Sequence, residues 1–148
     1  MIFIGVDPGK SGSVAFIDIA TGAAWSVKNS ETLKDLSDAI RDAVTASDGT
    51  PFAVLELVHS SPQMGVKSAF TFGQSYGQLE ALLFAHGIRF EIVRPAKWQG
   101  DMKCRTKGDK NVTKRLAQQL FPGVKITHAN ADAMLLAEYA LRLERGSK

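Results

Sequence analysis

Four side chains of this sequence could together do hydrolytic chemistry: Asp7, Glu56, His128 and Asp132. Asp7 ends the apolar run Ile2-Phe3-Ile4-Gly5-Val6, and Pro8-Gly9-Lys10-Ser11-Gly12 then turns the chain. A run without polar alternation predicts a strand buried on both faces. A carboxylate at its tip is costly unless something charged meets it. Asp also opens tight turns, so this stretch alone leaves a turn former and a metal or phosphate site both open. Glu56 interrupts a second apolar run, Phe52 to Val58, with no turn residue beside it. In Thr127-His128-Ala129-Asn130-Ala131-Asp132 the four-residue spacing predicts His128 and Asp132 on one face of a last helix, with Leu135, Leu136 and Tyr139 along or beside it. A lone His on such a face is usually a core histidine. Beside Asp132 and two strand carboxylates it points to a metal site.

Carboxylate oxygens with one imidazole suit Mg²⁺ or Mn²⁺ and do not look like a zinc site. Acids converging without a cation would raise each other's pKa values. Two ions about 4 Å apart would neutralise them and clamp a phosphodiester for in-line attack by water. A grip on the phosphate is also present. Between Arg94 and Arg115 lie eight basic residues and two acids, a net +6 in a chain of net +3, so the remainder is net −3. A basic block on an acidic body suggests a polyanion met on one side. Lys103, Arg105, Lys107, Lys110 and Lys114 fall in that block, and Lys110 and Lys114 are the expected phosphate contacts. The alternative is a solvated surface loop.

The elements that must position these groups follow from the pattern. Ser13 to Ile19 and Ala24 to Lys28 read as strands that continue the first as an antiparallel meander. Ser30 is the expected N-cap of a helix running to about Ser47. The Phe52 strand, a loop from His59 to Lys67, a helix from Ser68 to His86 and a strand from Ile88 to Val93 come next. The Lys103 to Asp109 part of the basic segment reads as irregular. Helices are expected over Asn111 to Leu120 and from about Ala129 to Leu143. Trp98 either stacks on a base or caps the core; Trp25 packs on the third strand, and Asp18 takes an exposed strand position.

The 148 residues fit one domain, residues 1–148, with no repeat and no linker. The single Cys104 cannot form an internal disulfide, which fits a reducing cytoplasm. No apolar run is long enough to span a bilayer, and the N-terminal run is too short for a signal-peptide core. The expected class is α/β.

The ordered set of strand-Asp-Pro-Gly-x-x-Gly, a Glu in the fourth strand and His-x-x-x-Asp-Ala opening a final helix resembles the RuvC-like Holliday-junction resolvases of the RNase H-like superfamily. Phe70-Thr71-Phe72-Gly73-Gln74-Ser75-Tyr76-Gly77 and Arg94-Pro95-Ala96-Lys97-Trp98 carry the likeness further, and it covers nearly the whole chain. The wording around His128 is most similar to the phage and prophage branch, whose products work in the cytoplasm of a bacterial host. The resemblance implies a five-stranded mixed sheet, three antiparallel N-terminal strands plus two parallel, flanked by helices. It implies catalytic acids Asp7, Glu56 and Asp132, with His128 near the place of a fourth ligand, two Mg²⁺ or Mn²⁺ ions, and a homodimer that cuts opposed strands of a four-way DNA junction. Many family members carry an acid three residues before the last Asp, where this chain has Ala129. The helix from about Phe72 to His86 resembles the family's dimer helix.

The His59 to Lys67 loop should reach the junction, with Met64 wedged against unstacked bases. Lys67 stands at its end, and Lys10 and Ser11 are brought near the acids by the first turn. Three alternatives use the same residues: a nuclease on flaps or structured RNA, resembling the YqgF-type branch; a non-catalytic junction-binding module; and an actin-like or sugar-kinase-like ATPase, which needs two such domains.

Overall fold

The computed structural model describes residues 1–146. Its five strands are β1 (Ile2–Val6), β2 (Ser13–Asp18), β3 (Ala23–Lys28), β4 (Phe52–Glu56) and β5 (Arg89–Val93). They form one sheet in the order β3-β2-β1-β4-β5. The β1–β2 and β2–β3 pairs are antiparallel, and β1–β4 and β4–β5 are parallel. The expected mixed sheet is present.

The side chains of β1 alternate between two helical layers. Ile2, Ile4 and Val6 join Leu36 and Ile40 of α1 (Leu33–Thr45) and Leu79 and Leu83 of α2 (Val66–Ala85). Phe3 faces the other layer, where α4 (Asn111–Leu120) and α5 (Ala131–Gly146) pack with Trp98 of α3 (Pro95–Asp101). Strand β1 is therefore buried on both sides, as a continuous apolar run requires.

Gly5 fixes the distance of α5 from the sheet. A Cβ there would lie 2.1 Å from the Ala133 carbonyl oxygen and 2.3 Å from the Ala137 nitrogen. Helix backbone thus occupies the volume of the missing side chain. Asp132 precedes Ala133, and Asp7 lies two residues beyond Gly5, so this contact carries one acid towards the other.

Several local expectations change. The helix N-cap is Thr32, not Ser30: Asp35 N–H donates to Thr32 Oγ1 at 3.1 Å, while Asp35 Oδ2 accepts from Thr32 N–H at 3.3 Å. This reciprocal pair satisfies donors that Ser30, two residues too early, cannot reach. Strand β4 stops at Glu56, so Glu56 sits at a strand tip and not in its middle. Lys103 to Asp109 is irregular, as expected, and a helix not read from the sequence precedes it: Pro95 opens α3, where its fixed φ and absent N–H suit a first turn. Asp18 is buried, because its carboxylate closes the β2–β3 turn by accepting from Ala20 N–H at 3.0 Å and the Thr21 hydroxyl at 2.9 Å. Trp25 stacks on Phe16 with ring centroids 5.2 Å apart, as expected for the third strand.

The Gly5 contact yields a direct test. Gly5→Ala should destabilise by about 3 kcal/mol or more, the upper range for overpacking, because backbone and not a flexible side chain must move. That corresponds to a fall in the thermal midpoint on the order of 10 °C. Gly123→Ala is the control, since a Cβ there meets nothing within 4 Å. Equal midpoints for the two variants in calorimetry would contradict the role given to Gly5.

Candidate active site

Parallel pairing brings the two strand acids together. The β1–β4 register sets Val6 opposite Leu55, so the next residues, Asp7 and Glu56, stand side by side at the carboxyl ends of neighbouring strands. In open α/β sheets this is the end at which ligands bind. The turn after Asp7 is held from beneath by Asn29, whose Nδ2 donates to the Asp7 carbonyl at 2.7 Å and the Gly9 carbonyl at 2.8 Å. Gly12 is packed against the same carbonyl: a Cβ on it would lie 2.1 Å from Asp7 O.

Helix α5 supplies Asp132 in its first turn. Asp7, Asp132 and His128 line one cleft of about 300 Å³, with Lys110, Thr113 and Gln99 on its walls. Glu56 does not line this cleft: it is buried beside Asp7, whose carboxyl its charge raises, with Oε2 accepting from Trp98 Nε1 at 2.6 Å. His128 corrects the spacing argument. Helix α5 begins at Ala131, so His128 lies in the preceding turn and is exposed. That turn is built by Asn130, whose Oδ1 accepts from Thr127 N–H at 2.8 Å and whose Nδ2 reaches Ser26 Oγ and the Lys125 carbonyl, both at 3.1 Å. His128 still borders the cleft, and its charge acts on Asp132.

The electrostatics are those of crowded acids. Burial pushes the Asp7 carboxyl from its ordinary 3.8 up to about 8, and the Glu56 and Asp132 charges add to the rise while Lys110 opposes it. Burial also lifts Glu56 to about 7; the indole bond opposes this and Asp132 reinforces it. Asp132 is raised by burial, against the Thr113 hydroxyl and the charges of Lys110 and His128. Its buried Oδ1 has no hydrogen-bond partner among the described residues. Buried acceptors without partners are rare in folded proteins.

These donors fit a hard divalent cation: three carboxylates, all raised by burial and two of them further by neighbouring acids, one with an orphaned oxygen. They do not form a closed cage. Among the described residues no three His, Cys, Asp or Glu side chains are gathered so as to hold a metal ion as they stand. The acids lie within Coulombic reach of one another and not in shared ligand contact.

The remaining candidates divide into three places. Lys110, exposed at the N-cap of α4, stands at the cleft and acts on both Asp7 and Asp132. Lys10, Met64 and Lys67 line a separate, mostly apolar groove of about 390 Å³ with Thr71 and Phe72. Lys103, Arg105 and Lys107 are exposed on the turns between α3 and α4, and Lys114 is half-buried on α4. Lys103 and Lys107 adopt φ of 56° and 48°, unusual for residues with long side chains. Arg105 lies across Gly100, where a Cβ would come within 2.7 Å of its Nη2. Trp98, Thr113 and Gln99 are not tied to the acids by the sequence; Trp98, left there between a base stack and the core, is fully buried in the core. The Trp98–Met102 spacing after Pro95 is the signal of a short buried helix that could have revealed the first of them.

The fold is a known one: the chain has the fold of RuvC, of the RNase H-like kind. Among solved structures it is similar to "Thermus thermophilus RuvC structure", at 17% identity and a TM-score of 0.60, with 99% of this chain and 97% of that one covered. It is also similar to "T. thermophilus RuvC in complex with Holliday junction substrate", at 14% identity and a TM-score of 0.65, with 99% and 96% covered. Neither protein-family profiles nor curated protein sequences give a match. Among the described residues no helix is long and apolar enough to cross a membrane.

The raised acids carry a pH dependence of known sign. Their folded pKa values exceed the unfolded ones, so the folded state holds protons that the unfolded state has released. Stability therefore falls as pH rises from about 4 towards the folded values of about 7 and 8. Asp7→Asn removes one charge from the cluster. In EDTA its thermal midpoint should exceed that of the unmodified protein by more at pH 8 than at pH 5, by roughly 2–4 °C per kcal/mol relieved. A gap that does not widen with pH would refute the electrostatic account.

Proposed function

We propose that this protein is a divalent-metal-dependent endonuclease that hydrolyses phosphodiesters in branched DNA and resolves four-way junctions as a homodimer. The observation that carries the reading is the meeting of Asp7, Glu56 and Asp132 at the carboxyl end of the sheet, beside the basic α3–α4 segment. Its support in the fold is the likeness to a RuvC solved with a Holliday junction substrate.

Asp7, Glu56 and Asp132, with His128 at the rim, would hold two Mg²⁺ or Mn²⁺ ions. Bound there, such ions supply a lowered water pKa and positive charge at the attacked phosphate. The chain's own residues do the rest. Lys110 offers a cation to the phosphate beside Asp7, and Lys103, Arg105, Lys107 and Lys114 extend the basic surface along the DNA backbone. Lys10 and Lys67 flank the groove in which Met64 meets unstacked bases.

The homodimer reading rests on α2. Val66, Phe70 and Phe84 are 89%, 74% and 81% exposed, and with Gly73 and Gly77 they fall on one helical face opposite buried Leu79 and Leu83. A second copy would cover that stripe, and two-fold symmetry matches a junction with two equivalent scissile phosphates. Phe70→Glu should convert a dimer to a monomer in light scattering; an unchanged mass would remove α2 from the interface. Residues 1–148 then form one nuclease domain acting in the cytoplasm of a bacterial host, in keeping with the phage branch.

The test is a substrate panel with Mg²⁺ or Mn²⁺: a mobile four-way junction, a flap, a linear duplex and structured RNA. Symmetric nicks in the junction, at least about 1,000-fold weaker in Asp7→Asn while junction binding persists, are the expected result. Cleavage that survives Asp7→Asn would sink the metal-site reading. Preferred cutting of flap or RNA would favour the YqgF-like alternative, and binding without cutting the non-catalytic one. In the same assay Met64→Ala should slow junction cleavage; an undiminished rate would end the wedge role.

A further inference from the structure

Of the three converging acids, Glu56 is the one whose carboxylate is tied to a buried aromatic side chain. The Trp98 indole is fully buried, and its Nε1 donates to Glu56 Oε2 at 2.6 Å across 42 residues of sequence. An indole N–H can only donate. It therefore fits an oxygen that accepts, and commits that oxygen while leaving Oε1 for another partner. Burying so large an aromatic residue does not by itself require that its nitrogen meet an acid at the end of β4.

The helix that carries Trp98 is itself fastened to the element that carries Asp132. Asp101 Oδ2 accepts from the Tyr139 hydroxyl of α5 at 2.6 Å and from Lys97 Nζ at 2.7 Å. Met102 N–H and Cys104 N–H close the end of α3 on the carbonyls of Trp98 and Gln99. Met102 and Cys104 pack in the same core cluster as Trp98 and the buried face of α5. Helix α3 thus spans from α5 to the tip of β4, touching one acid directly and clamping the helix of another.

We propose that Trp98 is a positioning residue for the active site: its indole N–H fixes the Glu56 carboxylate in the orientation that meets a divalent cation beside Asp7 and Asp132. This inference rests on the nuclease reading above. The indole bond also favours the ionised acid, opposing burial.

The test removes the N–H and keeps the bulk. Trp98→Phe, and as a closer isostere benzothienylalanine at position 98, are compared with Glu56→Gln and with the double variant. Binding of Mn²⁺ to the DNA-free protein is read by calorimetry, and junction cleavage and junction binding in Ca²⁺ are measured alongside. Loss of the N–H should weaken Mn²⁺ binding about 10-fold and slow cleavage about 10- to 100-fold, as for other outer partners of metal ligands. Junction affinity in Ca²⁺ should stay within about twofold, the scatter expected of an uncoupled site. In the Glu56→Gln background the same change should have no further effect on Mn²⁺ binding, because Trp98 acts through Glu56.

Equal Mn²⁺ affinity with and without the N–H, while Glu56→Gln lowers it, would overturn the positioning role and leave the nuclease reading intact. Additive losses in the two backgrounds would also overturn it, since a merely structural tryptophan gives that pattern. Should Phe at position 98 prevent folding, the benzothienyl protein, which keeps the ring volume, decides on the same readings. Glu56→Gln with unchanged Mn²⁺ binding and unchanged cleavage would overturn the nuclease reading together with this inference.

Discussion

The cleft depends on how closely α5 can approach β1. Ala133 and Ala137 backbone atoms occupy the space where a side chain at position 5 would stand. Any other residue would lift the helix away and take Asp132 with it. The parallel β1–β4 register then adds Glu56 beside Asp7. One glycine and one strand pairing thus fix three acids that are far apart in sequence.

That convergence works against stability. Each acid is raised first by loss of water and then, for Asp7 and Glu56, by neighbouring charge. The surrounding fold offsets part of the cost: Lys110 and Thr113 act on Asp132 and the Trp98 indole on Glu56, while Asn29 holds the backbone of the Asp7 turn. Functional sites hold strain of this kind because a rigid frame over-determines them. Here the frame is two-sided, with β1 covered by α1 and α2 on one face and α5 on the other.

The sheet and its acids were legible because they rest on strong local signals. Unbroken apolar runs such as Ile2–Val6 and Phe52–Leu55 have few readings other than central strands, and the acid that follows each, Asp7 or Glu56, stands out against them, although Asp7 alone also suited a turn. The fold class also followed from the order of motifs. What was not legible depended on tertiary contact. His128 and Asp132 were assigned to one helix by spacing, but the Thr127–Asn130 turn delays α5 until Ala131. Helix α3 was hidden under its charges, which looked like loop, while Pro95, Trp98 and Met102 gave the pattern of a short buried helix. Gly5 carried no local signal, since its role lies in what passes over it. Thr32 displaced Ser30 as cap through a partner, Asp35, that propensity alone does not weigh.

The segment from Arg94 to Arg115 concentrates positive charge on a body that is otherwise net negative. Its Lys110 lines the cleft, and Lys103, Arg105 and Lys107 are exposed on the turns that lead to it. The molecule is therefore an electric dipole, and a dipole near a polyanion feels torque before it feels contact. Against the polyanion proposed above, wrong faces would be repelled and the basic side drawn in, which would remove much of the orientational search during diffusion. The layout that looks like a sticky patch is also a compass.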